Sequence, residues 1–186
     1  TDLDCASTSA LALNGGTIKD AAGDDATLTL ATPGDTNSLA ANKAIVVDGI
    51  VPTVTNVTTT ESNGSYGIGD EITIQVVFSE DVTVVTTGGT PYITINTTGG
   101  GFNVMLDNGI SYPTNTLTFK YTVIESHSSS DLDYTSTSAL VLNGGTIKDA
   151  ASNDATLTLP TIGQAGSLGV NRDIVIDGVK PTVSNV

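Results

Sequence analysis

The chain repeats itself at domain scale. Residues 131–159 read DLDYTSTSALVLNGGTIKDAASNDATLTL, and residues 2–30 read DLDCASTSALALNGGTIKDAAGDDATLTL. Laying Asp2 on Asp131 sets an offset of 129 residues. The match then runs without a gap to Val57 on Val186, with about two-thirds of positions identical. That period exceeds the roughly 20–50 residues of a solenoid unit and is the size of a whole domain. We therefore read beads in tandem, broken where DGIVP (48–52) and DGVKP (177–181) set Gly and Pro between strands. Residues 1–49 are the C-terminal half of one repeat, 50–178 one complete repeat, and 179–186 the start of the next. We read 1–186 as a window on a longer chain. As a complete subunit it needs a neighbour to supply the missing strands.

Within the complete repeat, hydrophobicity alternates with a period of two. Ile72, Ile74, Val76 and Phe78 share one face of EITIQVVF, and Leu117, Phe119, Tyr121 and Val123 share one face of TLTFKYTV. Strict alternation gives strands with one wet face. PYITIN, FNVML, ALVL, GTIK, ATLTL and DIVID add shorter strands, with PTVTNVTTT opening the bead. The turns between them (GG, NG, YPTN, NGG) use residues that tolerate positive φ. No stretch carries a helical period. The expected fold is all-β: tandem antiparallel sandwiches of about 129 residues per repeat.

The net charge of -14 excludes nucleic acid as a partner, because phosphate binding needs Lys and Arg. It also argues against anionic membrane surfaces, and no apolar run approaches the roughly 18 residues that span a bilayer, so no membrane insertion is expected. Acidic excess serves either solubility or the gathering of cations. Cys5, the single cysteine, has Tyr134 as its repeat counterpart, so it belongs to no internal disulfide framework. We read it as a substitution at a half-buried position.

GSYGIGDEITIQVVFSEDVTV, TLTFKYTV, the 131–159 stretch and the DGVKPTVSNV linker together resemble the tandem bacterial Ig-like repeats of large secreted surface adhesins. These are similar in layout to cadherin-like and fibronectin-III-like arrays. The resemblance covers the whole chain. It implies an extracellular stalk, surface fibre or matrix filament whose partners are neighbouring repeats and, in an adhesive role, a glycan or cell-surface ligand. It also implies calcium at the junctions between beads. KDAASND (148–154) matches the family's Asp-x-Ala-Gly-Asn turn with Ser152 in place of Gly, and the first copy keeps Gly23 but has Asp24 in place of Asn.

The carboxylates fit that reading. Residues i and i+2 of an extended chain point the same way, so Asp131 and Asp133 face one point while Leu132 faces the core. Two such anions repel unless a cation or donors lie between them, and calcium takes six to eight oxygen ligands. An Ig-like topology brings the exit residue Asp177 and the loop residues Glu61 and Asp70 to the same end. Glu61, Asp131, Asp133 and Asp177 then form a candidate shell. Asp2, Asp4 and Asp48 are its first-copy counterparts. Glu80, Asp81, Asp149 and Asp154 lie at the opposite end, where a following bead could complete a junction. Against this stands the plain alternative that Asp in turns caps backbone N–H groups and keeps strand edges soluble.

Enzyme motifs are absent. His127 lies in the polar ESHSSSD loop without a second His, and adjacency of Ser128, His127 and Asp131 in sequence is not triad geometry. Asn56, Asn63 and Asn96 sit in N-x-S/T sequons. A rival reading is a binding module whose loops 97–104 and 108–115 grip a glycan or protein. Binding sites concentrate aromatics, and only Phe102, Tyr112 and Tyr66 are on offer there.

Overall fold

The computed structural model describes residues 2–183; the last three residues of the expected next repeat, 184–186, lie outside the described residues. The chain divides into two compact units, Thr1–Gly49 and Ile50–Val186. Its regular structure is almost wholly β, with two four-residue helices among the described residues.

In the larger unit the organising strand is β3 (Glu71–Val85), antiparallel to β1 (Val54–Thr59) on one side and β6 (Thr114–Thr122) on the other. Its alternation is read out as expected. Ile72, Ile74 and Val76 lie opposite Tyr121, Phe119 and Leu117, and all six are buried. Such cross-strand pairs are the unit of sheet stabilisation. The register with β6 shifts between Val77 and Val82. A bulge of this kind bends a strand, and beyond it Thr83–Val85 pairs with β9 (Thr146–Lys148).

A second sheet runs β5–β4–β8 (Phe102–Met105, Tyr92–Ile95, Leu140–Val141). A third runs β2–β10–β7 (Gly64–Gly67, Ile174–Asp177, Ser128–Ser129), in which β10 pairs parallel with β2 and antiparallel with β7. All three sheets feed one hydrophobic core, which includes Ile93, Ile95, Leu132, Tyr134, Ile147, Leu168 and Ile174.

Three local expectations change. GSYG, within the loop expected to hold Glu61 and Asp70, is strand β2 because β10 offers its backbone a parallel partner. ATLTL makes isolated bridges around Asp154 and Thr156 rather than a strand. SLGVN holds one helical turn, α2 (Leu168–Asn171), too short for periodicity to show. The peptide Tyr112–Pro113 is cis.

The smaller unit contains α1 (Leu39–Asn42) and a bridge between Lys19 and Asp25. Its backbone bonds recur 129 residues later. Leu3 N–H to Ile45 O, Ala26 N–H to Ile18 O and Leu30 N–H to Thr8 O match Leu132 to Ile174, Ala155 to Ile147 and Leu159 to Thr137. Two-thirds identity has preserved the local fold as well as the sequence.

Candidate functional site

Asp131–Leu132–Asp133 is arranged as its alternation requires. Leu132 is fully buried, with its N–H on the Ile174 carbonyl at 2.8 Å. Both flanking carboxylates reach the first turn of α2. A Cβ at Gly169 would stand 2.9 Å from Asp131 Oδ2 and 3.1 Å from Asp133 Oδ2. Glycine there leaves the space that two carboxylates need.

Asp133 accepts the N–H groups of Tyr134 (2.9 Å) and Gly169 (3.2 Å). Burial still raises its pKa above the usual carboxylate range, against the pull of those bonds. The Asp131 pKa is raised first by burial, then by the negative charges of Asp173 and Asp133. Like charges disfavour ionisation. Asn96 holds the segment in place: its Oδ1 accepts Asp133 N–H at 2.8 Å, and its Nδ2 donates to Asp131 O at 3.2 Å. Ser129 Oγ adds a bond to Asp131 O at 3.0 Å.

Sequence reasoning missed both Asn96 as a clasp and Asp173 as a third acid. Asn96 lies outside the duplicated stretch, and Asp173 stands where the first copy has Ala44. Comparison of the copies therefore could not single out either.

The other members of the expected shell go elsewhere. Glu61 accepts the hydroxyls of Thr59 and Thr60 and the N–H of Thr73 (2.9 Å). Burial works against its charge, but these bonds outweigh it and hold the pKa below the usual range. Asp177 ends β10, and its carboxylate accepts Val179 N–H at 3.1 Å. Leu132 bonds to Ile174 at the start of that strand, so at ~3.3 Å per residue Asp177 lies about 10 Å further along. Among the described residues, Glu61, Asp131, Asp133 and Asp177 do not bring three carboxylate oxygens within 4.8 Å of one another. The expected shell fails because the acidic pair docks at the entry of β10, away from its exit. Asp70 is likewise occupied, accepting Gly67 N–H at 2.7 Å.

Asp149 is buried in the 148–154 turn. Its two oxygens accept Asn153 N–H and Asn153 Nδ2, each at 2.8 Å. Burial opposes its charge, yet the bonds from Asn153, Ala151 and Ser152 lower its pKa. In the first copy Asp20 plays the same part for Ala22 and Asp24, both at 2.9 Å. Lys19–Asp25 (2.5 Å) and Lys148–Asp154 (2.6 Å) close the two turns alike. The left-handed position of this turn is Gly23 (φ 92°) in one copy and Ser152 (φ 74°) in the other. A native pKa held low stabilises the fold above the ordinary value of 3.8, and that stabilisation is lost as pH falls through the native value. Asp149→Asn should therefore lower the melting temperature of the larger unit at pH 7. The deficit should shrink as pH drops below about 4; a deficit independent of pH would contradict this role for the charge.

In the first copy, Asp4 accepts the N–H groups of Gly34 (2.8 Å), Cys5 (2.8 Å) and Leu39 (3.2 Å), the last at the start of α1. Its pKa is lowered, chiefly by Gly34. Asp2 is exposed, and Asp48 lies just before the end of the smaller unit.

His127 is no solvated loop residue. Its Nδ1 is 2.9 Å from the hydroxyl of buried Tyr121, and Phe102 meets its ring edge-on at 4.9 Å. Phe102, Tyr66 and Tyr112 all pack against the core.

No family model, no curated protein and no solved structure matches this chain. Among the described residues, no helix is long and apolar enough to cross a membrane.

Proposed function

We propose that this chain is a structural repeat module of an extracellular stalk, surface fibre or filament, built of Ig-like β-sandwich beads in tandem. One observation carries the reading. What recurs at an offset of 129 residues is scaffold: the acid at the head of a one-turn helix, the acid-centred turn and its ion pair, and the same cross-chain backbone bonds. A duplicated active site would repeat a reactive group in a cleft. The rival binding-module reading is weakened because the loop aromatics it needs are spent on packing.

Calcium is the second part of the proposal. Asp131 and Asp133 share the first turn of α2, with Asp173 nearby, and burial raises the pKa of both. A native pKa raised above the unfolded value means that stability falls as pH rises through that range. A bound cation relieves that cost, and waters or a neighbouring bead would supply its remaining oxygens.

The test is thermal unfolding and small-angle scattering of a three-bead chain, with and without calcium at the roughly 10⁻⁴–10⁻³ M of extracellular sites. Calcium should raise the melting temperature and lengthen the particle. Asp131→Asn should raise the calcium-free melting temperature at pH 7 and abolish the response to the metal. Calcium-independent unfolding and shape would remove the metal from the proposal. A three-bead particle that is globular rather than elongated would remove the stalk.

A further inference from the structure

The two copies of one sequence stand in opposite environments. Leu3 is 44% exposed and its counterpart Leu132 0%; Ile18 is 48% exposed and Ile147 2%; Val47 is 73% exposed and Ile176 2%. Leu11 and Leu28 line an open groove with Thr8, Ser9 and Thr29, whereas their counterparts Leu140 and Leu157 are packed into the core. The backbone of the smaller unit already has the bonding of the buried copy. Its exposure therefore comes from a missing cover, since the local fold is the same.

Ile50–Val186 shows what that cover is. The residues exposed in the first copy are packed in the second into one core with β1 to β7, the strands of 50–130. Glycines report the same fit. A Cβ on Gly145 would meet Gly89 O at 2.6 Å and Val85 O at 2.9 Å, and Gly144 is crowded by Gly88 in the same way. A Cβ on Gly178 would meet His127 O at 2.6 Å, against the 124–127 loop. Their counterparts Gly15 and Gly49 have nothing within 4 Å, and Gly16 meets only its own Leu13. The first copy keeps glycine at all three positions: Gly15 needs it for its own φ of 86° and Gly16 sits close to Leu13 O, but nothing around Gly49 demands it.

We infer that the apolar face of Thr1–Gly49 is a docking surface for a polypeptide segment of the 50–130 type, carried by the same chain directly ahead of Asp2. The inference rests on the tandem-repeat reading. In the covered copy the covering half runs into Asp131 with no intervening residue, which favours supply in the same chain. A second copy of 1–186 is a poor donor. Its one segment of this type already covers its own 131–178, so lending it would uncover an equal face.

Cys5 reports on this face. It is half-buried and free, and its counterpart Tyr134 is buried. Thiol labelling of Cys5 is measured in 1–186 and in a chain with 50–130 placed ahead of residue 2. The longer chain should label more slowly, by on the order of 100-fold, as protection rises with the cost of opening. Equal rates in two chains whose Ile50–Val186 unfolds normally would overturn the docking surface while leaving the stalk reading to its own test. Should the longer chain misfold, 50–130 is offered unlinked during refolding of 1–186. Protection of Cys5 then supports the surface, and its absence at saturating segment overturns it. Protection that grows with the concentration of 1–186 alone, alongside dimer in sedimentation, would overturn supply in the same chain.

Discussion

Leu132→Ala should destabilise Ile50–Val186 by about 3 kcal/mol, while Leu3→Ala should change the stability of 1–186 by less than about 1 kcal/mol. The residue and its neighbours in sequence are the same; only the surroundings differ. Leu132 is enclosed by the core cluster, so truncation loses its burial and leaves a cavity that packed strands cannot close. Leu3 is 44% exposed, so its truncation loses less burial and leaves no enclosed cavity. Chemical denaturation of the two variants gives both numbers. Equal costs would mean that the two copies share one environment.

The second large effect is at the glycines. Gly178→Ala puts a methyl against the carbonyls of Ile124 and His127. Those atoms are backbone, and Gly178 N–H is itself bonded to His127 O at 2.7 Å. The clash cannot be relieved by turning a side chain, so the expected loss is about 2–3 kcal/mol. Gly49→Ala meets nothing within 4 Å and should cost less than about 0.5 kcal/mol. In a chain carrying 50–130 ahead of residue 2, Gly49→Ala should become as costly as Gly178→Ala. A Gly49 variant that stays neutral there would contradict the inferred cover.

The strands were legible because burial acts on every second residue. Ile72, Ile74, Val76 and Phe78 announce β3 without help from the rest of the chain. Its bulge and β2 were not legible, since each depends on a distant strand: β6 for one, β10 for the other. The same holds at the acidic pair. That Asp131 and Asp133 face one way follows from strand geometry, and both do approach Gly169. Which other acids join them depends on topology, and the topology brings Asp173 in place of Glu61 and Asp177. Asp4, Asp20, Asp70 and Asp149 instead accept nearby N–H groups, the plainer reading of Asp in turns. His127 was misread because its sequence neighbours are polar, while its ring packs on Phe102 and Tyr121.

A single sequence repeat is present once covered and once uncovered in this chain. Native-state amide hydrogen exchange on 1–186 tests it residue by residue. The bonds Leu132 to Ile174 and Ala155 to Ile147 should exchange only through global opening of Ile50–Val186. Their counterparts Leu3 to Ile45 and Ala26 to Ile18 should exchange orders of magnitude faster. Equal protection of the two sets in 1–186 would contradict the claim.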